Sequence, residues 1–184
     1  MVLRYSGFTL LELLIVVSVA AILMVIGAGF VDETSHRFKA NQSIGEMQLL
    51  LAKARAAALF GNTKVTLCPL DTQAKCASDW NQELTLFTDA NHNRQLDTDE
   101  IVLQTFPASH NKNTARHFNS LAMGFDGRGF ANYYTGSLSY CYKGRTTLAA
   151  VFIISRNGRV RYSKSSSPES LPKTAGGQPI PCPS

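Results

Sequence analysis

The chain has 184 residues and a net charge of +5. Setting one membrane-length apolar segment aside leaves about 150 residues, the size of a single globular head. None of the four cysteines lies in the Cys-x-x-Cys spacing of a zinc or redox site. The four histidines, His36, His92, His110 and His117, fall in no nucleophile or metal-ligand motif. The chain therefore does not read as an enzyme, and no cofactor is expected.

The chain opens on Gly7-Phe8-Thr9-Leu10-Leu11-Glu12 and passes directly into Leu13 to Val31, nineteen consecutive residues with no charge and only Ser18 as a polar side chain. As a helix this run is about 28 Å long, close to the roughly 30 Å hydrocarbon core of a bilayer. It is too long for the apolar part of a secretory signal peptide and leads straight into more helical sequence. Glu12 sits at the edge of the run, where a carboxylate costs about 2.5–3.5 kcal/mol to insert and points to a function and a cationic partner.

Gly-Phe-Thr-Leu-Leu-Glu-Leu resembles the processing site of type IV pilins and type II secretion pseudopilins. The resemblance implies a leader, 1–7, removed by a prepilin peptidase after Gly7, with Phe8 as the N-methylated first residue of the mature chain. It further implies that Glu12 pairs with the N-terminal amine of another pilin subunit during assembly. Segment 8–31 is then a single span of the bacterial inner membrane with the head in the periplasm, and the assembled subunit reaches a cell-surface pilus. Gly27 and Gly29 lie where many pilins carry a helix-breaking proline.

Beyond Val31 the helical pattern turns amphipathic over 32–61, with Ile44, Met47, Leu51, Ala54 and Ala58 recurring at spacings of three and four. Gly61 is the expected stop. From 62 onward come short alternating or β-branched runs: Lys64 to Cys68, Leu84 to Thr88, Ile101 to Phe106, Leu121 to Phe125, Leu138 to Tyr142, Leu148 to Ser155 and Arg159 to Ser163. Seven short strands beside one long helix give an α+β fold, with the helix on an antiparallel β-sheet head spanning 62–184. Ala54-Arg55, Val65-Thr66-Leu67-Cys68-Pro69, Cys76, Trp80 and Phe87-Thr88-Asp89-Ala90-Asn91 resemble, in order and spacing, the GspH/FimT branch of the pilin superfamily. That likeness implies the pilin fold for most of the head.

All four cysteines follow the apolar run, and an even number on the exported side reads as two disulfides. Of the three possible connectivities the expected one is Cys68 to Cys76, closing a short loop, and Cys141 to Cys182, tying down a Pro/Ser/Gly-rich tail over 165–184. The run Asp89 to Glu100 places oxygen ligands at positions 1, 3, 5, 9 and 12 of a calcium loop. Position 6 is Arg94 rather than glycine and the flanks read as strands, so a polar loop whose Asx side chains bond their own backbone is expected, with no metal.

Charge is unevenly spread. Asp71 to Glu100 carries seven acids against Lys75 and Arg94, whereas Gly127 to Pro168 carries Arg128, Lys143, Arg145, Arg156, Arg159, Arg161 and Lys164 with no acid. A polyanion would meet the second region. Asn157-Gly158 is a turn dipeptide, and period-two alternation after it puts Arg159 and Arg161 on one face. Arginine suits phosphate because its planar fork donates two hydrogen bonds and stays charged. Gly158-Arg159-Val160-Arg161 resembles the C-terminal Gly-Arg-x-Arg motif of FimT-type minor pilins, which implies contact with double-stranded DNA during natural transformation. The resemblance assigns Arg159 and Arg161 to DNA, and Lys143, Arg145, Arg156 and Lys164 join them by position. The competing expectation is a structural GspH-like minor pilin or pseudopilin that primes assembly and turns these cations toward other subunits.

Overall fold

The helix begins where Thr9 can cap it. The Glu12 amide donates to Thr9 Oγ1 at 3.2 Å, so Thr-Leu-Leu-Glu has the spacing of a capping box as well as of a processing motif. A computed structural model of the chain describes residues 9–109, 114–132, 134–142, 145–165 and 170–182, without the side chains of 26–32. Gly7 and Phe8, the expected processing residues, and Lys143 lie outside the described residues.

Two compact units make up the chain, 1–39 and 40–184. In the first, α1 (Leu10–Gly61) is helical without interruption through Gly27 and Gly29. Its large described apolar side chains, among them Leu13, Val16, Ile22 and Val25, are exposed. Ser18, the polar interruption, donates its hydroxyl to the Ile15 carbonyl at 2.8 Å, so its polarity is satisfied within the helix. Among the described residues no helix is long and apolar enough to cross a membrane; the nineteen-residue run extends into 26–31, whose side chains are not described.

The second unit holds the rest of α1 and the head. Ile44, Met47, Leu51, Ala54 and Ala58 are all buried and form the helix side of the main core with Val65, Leu67, Leu84, Leu86, Phe125, Leu138 and Phe152. Helix and strands thus share one apolar stripe. The end of α1 differs in detail from expectation: Gly61 is its last residue, and Asn62 takes the left-handed conformation, φ +45°. Thr63 N donates back to the Ala58 carbonyl at 3.3 Å, closing a Schellman-type cap with asparagine in the position more often held by glycine.

There are eight described strands, in two four-stranded antiparallel sheets where the sequence suggested one. The first sheet runs β3 (Val102–Phe106), β2 (Leu84–Thr88), β1 (Val65–Pro69), β5 (Met123–Phe125). The second runs β4 (Thr114–His117), β6 (Gly136–Tyr142), β7 (Ala150–Ile154), β8 (Val160–Lys164). Thr-Ala-Arg-His of β4 has no alternating apolar pattern, so the sequence does not mark it. Its Arg116 is buried, with Nη2 donating to the carbonyls of Asn81 (3.3 Å), Gln82 (2.9 Å) and Pro107 (3.1 Å). Burial pulls its pKa down to about 10, the nearby Tyr140 and Asp79 only partly opposing this.

Two disulfides fasten the periphery, Cys68–Cys76 and Cys141–Cys182. The first closes a loop whose Cys76 amide donates to the Arg94 carbonyl at 2.9 Å. The second joins the tail to the outer face of the second sheet, where Leu171 and Ile180 pack against Cys141, Ala149 and Val151. The tail folds on itself before reaching Cys182, with Ile180 N donating to Pro172 O at 3.0 Å and Thr174 N to Gln178 O at 2.8 Å.

Candidate nucleic-acid interface

The β7–β8 hairpin turns through three residues rather than two. Gly158 N donates to Ser155 O at 2.9 Å and Ser155 N to Arg159 O at 3.0 Å. Of the three loop residues only Gly158 has positive φ, +73°, which makes a type I turn followed by a glycine bulge. Asn157 still serves the turn, its Oδ1 accepting from Ser155 Oγ at 2.7 Å and from Arg159 N at 3.2 Å.

This turn is held from two sides. From α1, Arg55 Nε donates to Gly129 O at 3.1 Å and its Nη2 to Asn157 O at 3.3 Å. From the loop after β5, Ala131 N and Asn132 N both donate to Arg156 O, at 2.9 and 3.3 Å. A Cβ on Gly158 would lie 1.8 Å from Gly129 O, so glycine is required by approach as well as by φ. The sequence showed Arg55 as part of the family resemblance, with nothing to mark its partners. Its partners lie 74 and 102 residues away, and no local pattern links them.

β8 pairs with β7 in unbroken register, Ile154 opposite Val160, Ile153 opposite Arg161 and Ala150 opposite Lys164. Arg161 therefore lies on the face of Ile153, which packs with the tail, while Val160 and Tyr162 lie on the face of Ile154 and Phe152, toward α1. Phe152 and Tyr162 stack with ring centroids 5.4 Å apart. Arg156, Arg159, Arg161 and Lys164 are exposed, and Arg145 is half-buried. The register separates the cations that the sequence grouped. Arg156 and Arg159 stand at the turn end, and Arg145 and Lys164 at the opposite end. Arg159 to Lys164 spans about 17 Å at 3.3–3.4 Å per residue, the rise of about five base pairs.

The turn end gains Arg128, which belongs to the acid-free run but was not among the residues assigned to DNA. Its side chain is 78% exposed, pairs with Asp126 at 3.2 Å and lies over Phe130. Burial pushes the Asp126 carboxyl up, but hydrogen bonds from the Phe130 amide, Asn132 and Arg128 outweigh this and hold it below the usual carboxylate range. The carboxylate stays charged and offsets part of the charge of Arg128.

Several side-chain oxygens of the Asp89–Glu100 loop are taken by the loop's own amides. Asn91 Oδ1 accepts from Asn93 N at 3.1 Å, Asn93 Oδ1 from Gln95 N at 2.8 Å, and Glu100 from the amides of Ala90 and Asp97. Asp89 is buried, 3.5 Å from Lys64 Nζ and 2.6 Å from Thr66 Oγ1, so a cation is already built in. Arg94 does adopt the left-handed turn, φ +60°, that the sequence reading reserved for glycine, and it lays its guanidinium over the Tyr134 ring at 5.3 Å. Among the described residues no group of three or more His, Cys, Asp or Glu is placed to hold a metal ion.

A capped N-terminal helix and an antiparallel β head built on its buried stripe define a pilin-like subunit. The GspH family, described as type II transport protein GspH, matches residues 43–158, and the prokaryotic N-terminal methylation motif matches residues 3–28. The chain belongs to the GspH family. It is a membrane-anchored component of a pilus or pseudopilus, of a class that associates with other pilin subunits and is processed by prepilin peptidase. The head also resembles the type IV minor pilin FimU of Pseudomonas aeruginosa. In one crystal form the TM-score is 0.53 at 20% identity, covering 72% of this chain and 93% of that one. In a second the TM-score is 0.50 at 20% identity, covering 69% and 94%. No curated protein sequence matches the chain. The family match ends at Gly158, so Arg159 and Arg161 are features of this chain beyond it.

Proposed function

We propose that this chain is a FimT-like minor type IV pilin that binds double-stranded DNA without sequence preference during DNA uptake in natural transformation. The reading includes cleavage after Gly7, N-methylation of Phe8, a single pass through the inner membrane and display on a surface pilus. The observation that carries it is the hairpin: a turn fixed by Arg55 and the 129–132 loop presents Arg156, Arg159 and Arg161 on a rigid element with no acid between 127 and 168. Rigid presentation matters because each phosphate contact then costs little side-chain and loop ordering. Arg159 and Arg161 are the central contacts, Arg156 supports them at the turn, and Lys143, Arg145 and Lys164 extend the track.

Affinity on this reading comes from counterion release, so log affinity falls linearly with log salt at about 0.9 per phosphate neutralised. A soluble fragment beginning at Asp32 tests it by mobility shift across a salt series. Arg159→Gln and Arg161→Gln together flatten the slope by about two and weaken every sequence alike. If the folded double variant shifts DNA as well as the parent at matched salt, the nucleic-acid reading fails and the structural subunit role takes its place.

A further inference from the structure

Among the described residues β8 is the five-residue edge strand that the fold leaves without a bulge or a covering side chain. Along β3 the register slips at Leu103, and the carbonyl of Leu103 accepts from Lys53 Nζ at 3.2 Å. The β4 edge is covered by Asn81, whose Oδ1 accepts from Arg116 N at 2.8 Å, and by Ser109, whose hydroxyl donates to Thr114 O at 2.9 Å. β5 is three residues long. Bulges, covering side chains and shortness are how sheet edges are closed to strangers. β8 has five residues in continuous register with no bulge or covering side chain; its own edge device is charge, Arg161 and Lys164, which acts against a basic or neutral strand and not against an acidic one.

Its hydrogen-bonding phase follows from the two bonds that flank it. Ser155 N donates to Arg159 O and Ser165 N to Ala149 O, both inward toward β7. Antiparallel alternation then turns the peptide groups of Arg161 and Ser163 inward and those of Val160, Tyr162 and Lys164 outward. The side chains of Val160 and Tyr162 face α1, where with Leu51, Ala52, Ala56 and Leu59 they line an apolar groove of about 540 Å³ running beside the open edge.

An added strand would bond to the outward peptide groups and drop every second side chain into this groove. The intervening side chains would fall on the opposite face, beside Arg159 and Arg161. Apolar residues fit the first set and carboxylates the second. Self-pairing of β8 would instead put the arginines of two chains on one face of the joined sheet and their Lys164 side chains on the other, and like charges across a sheet are destabilising. Charge therefore selects a different, acidic strand. We infer that the β8 edge and its groove are a docking site for an extended segment of another protein chain in which apolar residues alternate with Asp or Glu.

The inference is independent of DNA binding and is tested on the full chain in phospholipid nanodiscs. The probe is a dye-labelled ten-residue peptide alternating valine and glutamate, held at nanomolar concentration so that it does not pair with itself. Anisotropy is expected to show at least tenfold tighter binding than for a valine–lysine counterpart. Backbone N-methylation along one edge of the peptide lowers affinity at least tenfold, as does Ala52→Glu at the exposed rim of the groove. Amide exchange at Val160, Tyr162 and Lys164 slows when the peptide is bound. Equal binding of the N-methylated peptide, or unchanged exchange at those three amides, overturns the inference. Protection of the same amides by a short DNA duplex but not by the peptide also overturns it, and assigns the edge to the nucleic-acid surface.

Discussion

Replacing Gly158 by alanine probes the clamp that presents the arginines. Two penalties combine there. A left-handed residue at φ +73° acquires a side chain, at a cost of about 1–2 kcal/mol. The new Cβ also lies 1.8 Å from Gly129 O, so the turn must retreat by more than 1 Å to reach even the 3.0 Å limit of real contacts. That retreat strains the Arg55 bonds to Gly129 O and Asn157 O, and overpacking of this kind costs about 1–3 kcal/mol. Gly177 isolates the first penalty, since its φ is +79° but nothing lies within 4 Å of its added Cβ. Gly177→Ala is expected to cost about 1 kcal/mol and Gly158→Ala about 3 kcal/mol. At about 2–4 °C per kcal/mol for a domain of this size, the Tm values fall by roughly 3 °C and roughly 9 °C. Urea titration of both variants gives the free energies directly, with m unchanged if both remain two-state. Equal losses for the two would show that the turn relaxes freely and that the clamp does not hold it.

Three further outcomes follow from the anchor, the disulfides and the acidic loop. Glu12→Ala is expected to remove the subunit from sheared pili without altering the thermal transition of the head, because Glu12 lies in the unit 1–39; wild-type incorporation would refute its assembly role. Loop closure gives Cys141–Cys182, 41 residues apart, about 4 kcal/mol and Cys68–Cys76, 8 apart, about 2.5 kcal/mol. Paired serine variants should rank in that order by denaturant titration, and the reverse order would show that packing of Leu171 and Ile180, rather than chain closure, sets the tail's contribution. The Asp89–Glu100 loop should show no micromolar calcium affinity in calorimetry, because Lys64 already neutralises Asp89; an affinity lost in Glu100→Gln would overturn this.

What the sequence made legible follows the range of each interaction. The buried stripe of α1 repeats at helical spacing, so Ile44 to Ala58 could be assigned to the core before any strand was placed. Most strands announce themselves by β-branched and aromatic alternation. β4 does not, because Arg116 is buried through hydrogen bonds to three carbonyls rather than through apolar character. The division into two sheets was equally hidden, since strand order depends on pairings such as β1 with β5 that join distant segments. The basic region was visible as composition, but its layout needed the register. Arg161 alternates with Val160 and Tyr162 as period two requires, whereas Arg145 and Lys164 stand at the far end of the strand from the turn.

The same register lets one strand serve two surfaces. Arg161 lies on the tail side, opposite Ile153, with its peptide groups in the inward phase toward β7, and Arg159 O accepts from Ser155 N beside it, so what these arginines offer to a ligand is the guanidinium. Val160 and Tyr162 do the reverse: their side chains belong to the groove beside α1, and their peptide groups form the open edge. Ionic strength separates the two uses. Phosphate contacts by Arg159 and Arg161 weaken steeply with salt, through released counterions. Peptide hydrogen bonds and groove burial carry no net charge, and screening acts only on the carboxylates beside the arginines. Raising salt from 50 to 200 mM should therefore release DNA while leaving most of the strand affinity in place. A strand affinity that fell in parallel with DNA would mean that the arginines, and not the edge, hold both.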